Sequence, residues 1–343
     1  MLLTEFLSFS FSGFAALLTV FFTLAVAFVN GWTDAPNAIA SCVVTRCLSL
    51  QKAVIMAAVC DFAGAMIIGV FNSKVIMTVA NLADFSMNGM PALCAAMTCV
   101  VIWATAAWAF GIPTSESHAL LAGIMGAGVA VNGNFTGINS AELMKVVSGL
   151  ILSTLLGFVS GFLMSKLTVL IFEKSEKSKC DVMFRRSQIV SGALMAFMHG
   201  AQDSQKFAGI LSVAVSASGF EFQNSKINRF MIFASSAAIA LGTATGGARI
   251  IKAVGMDMIK LRRDQGFSAD MAGALCLLIS TVLGLPVSTT HTKTSAVLGV
   301  GASKSIKSVN WSVAGEMAAA WILTFPACAL MSFIITKIYM RVL

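Results

Sequence analysis

An all-α polytopic membrane protein, built from inverted-topology repeats with broken helices and two re-entrant helical hairpins, is the fold class this sequence predicts. Three observations carry the prediction. Of the 343 residues, 57% are hydrophobic and 11% charged, against roughly 25% charged in a soluble domain. Apolar runs at 11–30, 53–71, 143–172 and 312–338 reach the roughly 20 residues that cross the hydrocarbon core. Two different polar motifs recur in the same order in both halves of the chain. Backbone groups in lipid must be satisfied within the segment, so the apolar runs are helices.

The repeat is read from the motifs. Gly31-Trp-Thr-Asp-Ala-Pro-Asn37 resembles Gly200-Ala-Gln-Asp-Ser-Gln-Lys206, and 203 − 34 = 169. Gly111-Ile-Pro-Thr-Ser-Glu-Ser-His118 resembles Gly284-Leu-Pro-Val-Ser-Thr-Thr-His291, and 284 − 111 = 173. Chance likeness of apolar segments does not place two unrelated motifs at almost one offset. A first repeat is expected over 1–172, a cytoplasmic basic loop over 173–186 and a second repeat over 187–343.

Each element follows from the positions of the basic residues, which concentrate on the cytoplasmic side. Lys174, Lys177, Lys179, Arg185 and Arg186 form one basic cluster; Arg249, Lys252, Lys260, Arg262 and Arg263 form another. Arg46 and Lys52 mark an inside turn, so residues 11–46 run inward, with a break expected at 31–37. Residues 53–72 exit. Residues 142–172 enter again, so 91–131 begins and ends outside, as a re-entrant hairpin with its tip at 113–118. After the basic loop, 187–218 runs outward with a break at 200–206, and 227–247 returns. Residues 268–303 form a hairpin entering from the cytoplasm, tip at 286–291, and 312–340 is the last span. The two halves then run in opposite senses.

Other readings of the composition are weaker. Glu5 precedes any basic residue at the N-terminus, unlike a cleaved signal peptide. The eight cysteines lack metal-site spacing and read as small buried hydrophobes. The net charge of +8 sits in loops, so topology accounts for it and no nucleic-acid partner is expected.

Paired interruptions in inverted halves point to a transporter binding site near the bilayer midplane. The tips carry Thr114, Ser115 and Ser117 in the first hairpin, and Ser288, Thr289 and Thr290 in the second. Each precedes an apolar half-helix, whose N-terminus offers unpaired N–H donors and a partial positive charge. Two such ends facing each other suit a tetrahedral oxyanion; taken singly, the hydroxyls would serve as helix caps.

Asp34 and Asp203 are costly in mid-span and need a cation, a proton or a partner. Asn37 shares a helical face with Asp34, and Asp34, Asn37 and Asp203 would be the ligands if sodium binds. Lys206 stands where the repeat puts the partner of Asn37, and its ammonium can replace an alkali cation, which favours a proton as coupling ion. Glu116 is expected to pair with Lys293 or to carry the coupling proton. His118 and His291 read equally as structural or as substrate contacts, His199 as a weakly indicated titrating group, and Asp61 and Glu142 as buried acids without a role.

These motifs resemble the PiT family of inorganic phosphate transporters, which carries a Gly-x-Asn-Asp-x-x-Asn type motif in each half and Pro-x-Ser-x-(Ser/Thr)-His tips. The stretches 199–209, 246–252 and 265–267 are similar as well. The resemblance implies a dimeric, multi-pass symporter of the cytoplasmic membrane, with phosphate at Thr114, Ser115, Ser117, Ser288, Thr289 and Thr290. It places coupling ions at Asp34, Asn37, Asp203 and Lys206. Thr33 and Gln202 replace the family's asparagines, and Gln202 is counted with the ion-linked positions. Members with Gln-Lys here resemble proton-coupled carriers that take phosphate as a metal–phosphate complex. A sulfate permease on the same scaffold is the alternative, and an anion channel a more distant one. Glu116 and Asp203 can accept a hydrogen bond from HPO4 2− but not from sulfate, which favours phosphate. Ser117 and His118 are adjacent and point to different helical faces, a poor nucleophile–base pair, so no enzyme is expected.

Overall fold

A computed structural model describes residues 2–10, 13–83, 89–112, 114–217, 229–246 and 259–343. Among these residues the secondary structure is helical, apart from one isolated bridge between Ala83 and Ile138. A short α1 (Leu2–Ser10) precedes α2 (Phe14–Val44), α3 (Leu50–Phe71) and a short α4 (Lys74–Ala80). Two arms, α5 (Gly89–Phe110) and α6 (Glu116–Asn132), make the first hairpin, and α7 (Ser140–Phe172) closes the half. The second half runs α8 (Lys177–Ala217), α9 (Arg229–Thr245), the hairpin α10 (Arg263–Leu283) and α11 (Thr289–Lys304), and α12 (Trp311–Val342). Six of these helices, α2, α3, α5, α7, α10 and α12, are long and apolar enough to cross a membrane.

Packing repeats when the halves are exchanged. The contact of α2 with α9 is matched by that of α8 with α3, and α6 on α12 by α11 on α7. Likewise α2 on α5 corresponds to α8 on α10. The helices α2 and α8 meet in the middle, and both hairpins close on them.

Two expectations are overturned. The breaks at 31–37 and 200–206 are absent, because α2 and α8 are continuous through both motifs. The glycines that suggested breaks serve close crossings instead. A Cβ on Gly31 would lie 2.1 Å from the Ile239 carbonyl oxygen of α9, and one on Gly200 would lie 2.0 Å from that of Asp61 in α3. A continuous helix keeps its backbone bonds, save the one that Pro36 has no N–H to make, and the polar side chains find partners across the bundle, which is cheaper in lipid than opening the chain.

The basic loop is also shorter than 173–186. Only 173–176 lies between α7 and α8, and Lys179, Arg185 and Arg186 ride on the first turns of α8. Lysine and arginine are good helix formers, so a transmembrane helix can continue into water through them. In place of the return span stands α9, an apolar helix of 17 residues, shorter than the six. Arg249, Lys252, most of the 246–252 stretch and Pro113 lie outside the described residues. The described residues of each tip, 111–112 and 114–115 in the first and 284–288 in the second, are non-helical, with helix resuming at Glu116 and Thr289.

Candidate functional site

The two tips meet. Ser115 and Ser288 are the N-caps of α6 and α11, accepting from the backbone N–H groups of His118 and His291. The Ser115 hydroxyl also donates to that of Ser288 at 2.8 Å, so the half-helix N-termini face one another across a hydroxyl pair. Capping and convergence are thus both true of these serines, as their geometry at a helix start requires.

Around that contact the repeat builds the same triad twice. On α8, the Lys206 ammonium donates to Asp203 Oδ1 (2.6 Å), to the Ser117 hydroxyl of the first tip (2.6 Å) and to the Val287 carbonyl of the second (2.7 Å). On α2, the Asn37 amide donates to Asp34 Oδ1 (2.9 Å) and to Thr290 of the second tip (3.0 Å). Shifting Ser117 by the hairpin offset gives Thr290, so lysine and asparagine occupy equivalent places. The Thr290 hydroxyl donates to Asp34 Oδ1 at 2.9 Å, and that of Thr289 stands between the carboxylates, 3.3 Å from Asp34 Oδ2 and 3.2 Å from Asp203 Oδ2. Asp34, Asn37, Asp203, Lys206 and all six tip residues are buried.

The pairing of Glu116 with Lys293 is not found. Glu116 accepts from Thr33 at 2.7 Å, and Lys293 pairs with Asp270 inside the second hairpin. Asp270 lies on α10 facing α11, closer to Lys293 than anything on the opposite tip. With Asp34, Asn37, Thr114 and Thr290, Glu116 lines a cavity of about 10 Å³, room for roughly one water-sized group. Glu116 Oε2 and Asn37 Oδ1 have no hydrogen-bond partner among the described residues. Gln202 turns to the second tip instead of the carboxylates, donating to the Leu285 carbonyl at 2.8 Å and accepting from Thr281 at 2.5 Å.

Asp61 and His199 join the site. His199 Nδ1 lies 3.0 Å from Asp61 Oδ1, Thr243 donates to Asp61 at 2.6 Å, and His199 Nε2 stands 3.5 Å from Asp203 Oδ2. Oxygen and nitrogen atoms of Asp34, His199 and Asp203 fall within 4.8 Å of one another, a set able to hold a small cation. A single acid in the apolar run of α3 was the signal for Asp61; its partner His199 was only weakly indicated, by its place just before the second motif. Glu142, by contrast, pairs with Lys145 at the start of α7. His118 and His291 sit behind the tips, ring to ring at 4.4 Å, with His118 Nδ1 3.2 Å from the Trp321 carbonyl and His291 stacked on the Trp321 ring. They support the hairpins from outside the carboxylate cluster.

Comparison with known proteins yields one family. The model of the phosphate transporter family matches residues 30–179 and 171–332. The chain is 39% identical over 315 residues to a probable low-affinity inorganic phosphate transporter of Bacillus subtilis, covering 91% of this chain and 93% of that protein. A counterpart in Rhizobium meliloti is 38% identical, covering 89% and 90%. Among solved structures, a sodium-dependent phosphate transporter superposes with a TM-score of 0.85 at 22% identity, over 95% of this chain and 99% of the other.

Proposed function

This chain belongs to the phosphate transporter family, and on that premise we propose that it imports inorganic phosphate with protons across the cytoplasmic membrane. The observation that carries the reading is the Lys206 ammonium, held by three oxygens from α8 and both tips, in the place where the other half has the Asn37 amide. A tethered ammonium neutralises Asp203 without a dissociable alkali ion, and its remaining N–H groups reach Ser117 and the Val287 carbonyl at the two tips.

The tips must part before a tetrahedral anion fits, since their hydroxyls bond each other and the neighbouring cavity holds one water-sized group. Once parted, the N-termini of α6 and α11 present N–H donors, and Thr114, Ser115, Ser117, Ser288, Thr289 and Thr290 present hydroxyls, all to one volume. Asp34 and Glu116 face one small cavity, where two ionised carboxylates repel, so a proton shared there loads the site together with phosphate. The inverted relation of the halves then allows the loaded hairpins to turn from one side to the other around a fixed site. Family and relatives are transporters, and no catalytic role attaches to Ser117 or His118.

Labelled-phosphate uptake into proteoliposomes under an inward proton gradient, without sodium and with excess sulfate, tests the proposal. Uptake that ignores sulfate is expected. An absolute need for sodium would replace the proton reading by one in which Asp34, His199 and Asp203 bind the ion, and strong competition by sulfate would replace phosphate as substrate.

A further inference from the structure

Asp270 and Lys293 form a second buried ion pair, outside the site just described. Both are about fully buried, at 0% and 1% side-chain exposure. The Ser41 hydroxyl of α2 lies 2.7 Å from each Asp270 oxygen, tying the second hairpin to α2. No other charged side chain among the described residues touches the pair; from α8 it meets the Gly192 and Met195 region.

The repeat makes this cluster informative. The hairpin offset carries Asp270 to Met97 and Lys293 to Leu120, and the motif offset carries Ser41 to Ile210. Met97, Leu120 and Ile210 are all buried in one apolar cluster with Leu93, Leu121, Phe207 and Leu211. One half therefore has an ion pair where the other has a dry core. An apolar trio can fill such a position without loss of stability, and a buried pair is often no more stabilising than its apolar replacement.

The ion pair also lies on a polar ladder. Asn37 and Ser41 of α2 and its C-cap Thr45 follow one face at four-residue steps. Thr45 donates to Gln188 of α8 at 2.9 Å. Beyond it opens a cavity of about 710 Å³ whose lining includes Thr45, Arg46, Asp181, Arg262 and Arg263. This is the basic end of the bundle, which faces the cytoplasm.

We propose that Ser41, Asp270 and Lys293 form the inward gate of the transport path, with Ile210, Met97 and Leu120 as its dry outward counterpart. The inference rests on the transporter reading above. Opening the seam between α2 and the second hairpin hydrates charges, which is favourable; opening the opposite seam wets apolar side chains, which is not. The three residues position the hairpin and do not hold substrate.

Native Cys42, which adjoins Ser41 and donates to the Gln188 carbonyl, reports on the inward seam, and Cys99, which donates to the Cys328 carbonyl of α12, is a buried reference in the apolar half. The full chain in nanodiscs is treated with a water-soluble maleimide and the modified cysteines are mapped by mass spectrometry. Cys42 is expected to react at least about tenfold faster than Cys99, as local opening would allow. In the double variant Asp270→Met, Lys293→Leu, that advantage falls below about threefold and uptake slows, while phosphate binding and thermal midpoint are kept. The double variant Asp270→Asn, Lys293→Gln, still polar, keeps the wild-type labelling ratio. Wild-type Cys42 reacting no faster than Cys99 overturns the gate whatever the substrate is. So does wild-type uptake, or a lowered thermal midpoint, in the apolar variant. Labelling as expected in a protein that neither binds nor carries phosphate would leave the gate standing and overturn the phosphate reading.

Discussion

Lys206 and Asn37 do the same structural work with different chemistry, each joining its own half's aspartate to a tip hydroxyl of the other half. Replacing Lys206 by Asn should therefore recreate the first triad in the second half. Proton-driven uptake is expected to drop at least about tenfold and a sodium-stimulated component to appear, because removing the ammonium exposes Asp203 as an unpaired buried charge that a cation must satisfy. Uptake assays with and without sodium check this. Glu116→Gln keeps the hydrogen bond from Thr33 but cannot exchange a proton. It should flatten the pH dependence of uptake while phosphate affinity changes by less than about threefold, roughly the effect of keeping an uncharged hydrogen-bond acceptor. Equal pH profiles in the variant and the wild type would remove Glu116 from proton coupling. At this scale Asp34 and Asp203 were legible, since a charge inside an apolar run is conspicuous. The partner of Lys293 was not: several acids were available, and only the docking of α10 against α11 selects Asp270 over Glu116.

Among the elements, the α2–α9 and α3–α8 crossings bring backbones into contact at Gly31 and Gly242, and at Gly64 and Gly200. Gly31→Ala and Gly200→Ala should each destabilise the protein by about 1–3 kcal/mol through overpacking against a neighbouring carbonyl. The Gly13→Ala change, with nothing within 4 Å of the added Cβ, should leave the thermal midpoint in place. Thermal unfolding of the three variants in detergent checks the ranking. The same glycines explain why breaks were expected in α2 and α8. A glycine beside an aspartate reads equally as a helix interruption or as a close crossing, and the local sequence does not contain the neighbouring helix that decides between them. Hairpins were legible because proline, glycine and capping hydroxyls fall together between apolar arms. The short α1 and α4 carried no comparable pattern.

Across the whole molecule, exchanging the halves reproduces the helix contacts, and Arg46, Arg262 and Arg263 gather around one cavity at one end. If the halves are inverted, the turns that follow the two hairpins lie on opposite sides of the membrane. Thr136→Cys, in the turn after α6, should react with an impermeant thiol reagent from outside the cell, and Ser308→Cys, in the turn after α11, only in inside-out vesicles; both positions are exposed. Reaction of both from one side would mean parallel repeats. The sequence by itself determined the membrane setting, the recurrence of the two polar motifs and the residues most costly to bury, because apolar run length, motif recurrence and isolated charges are properties of the chain read one segment at a time. Only the tertiary structure decided that α2 and α8 run unbroken, that Lys206 is held by three oxygens from three elements, and that Asp270 takes Lys293. Those outcomes depend on which side chains arrive opposite a buried charge, and in lipid that is set by how closely the helices pack.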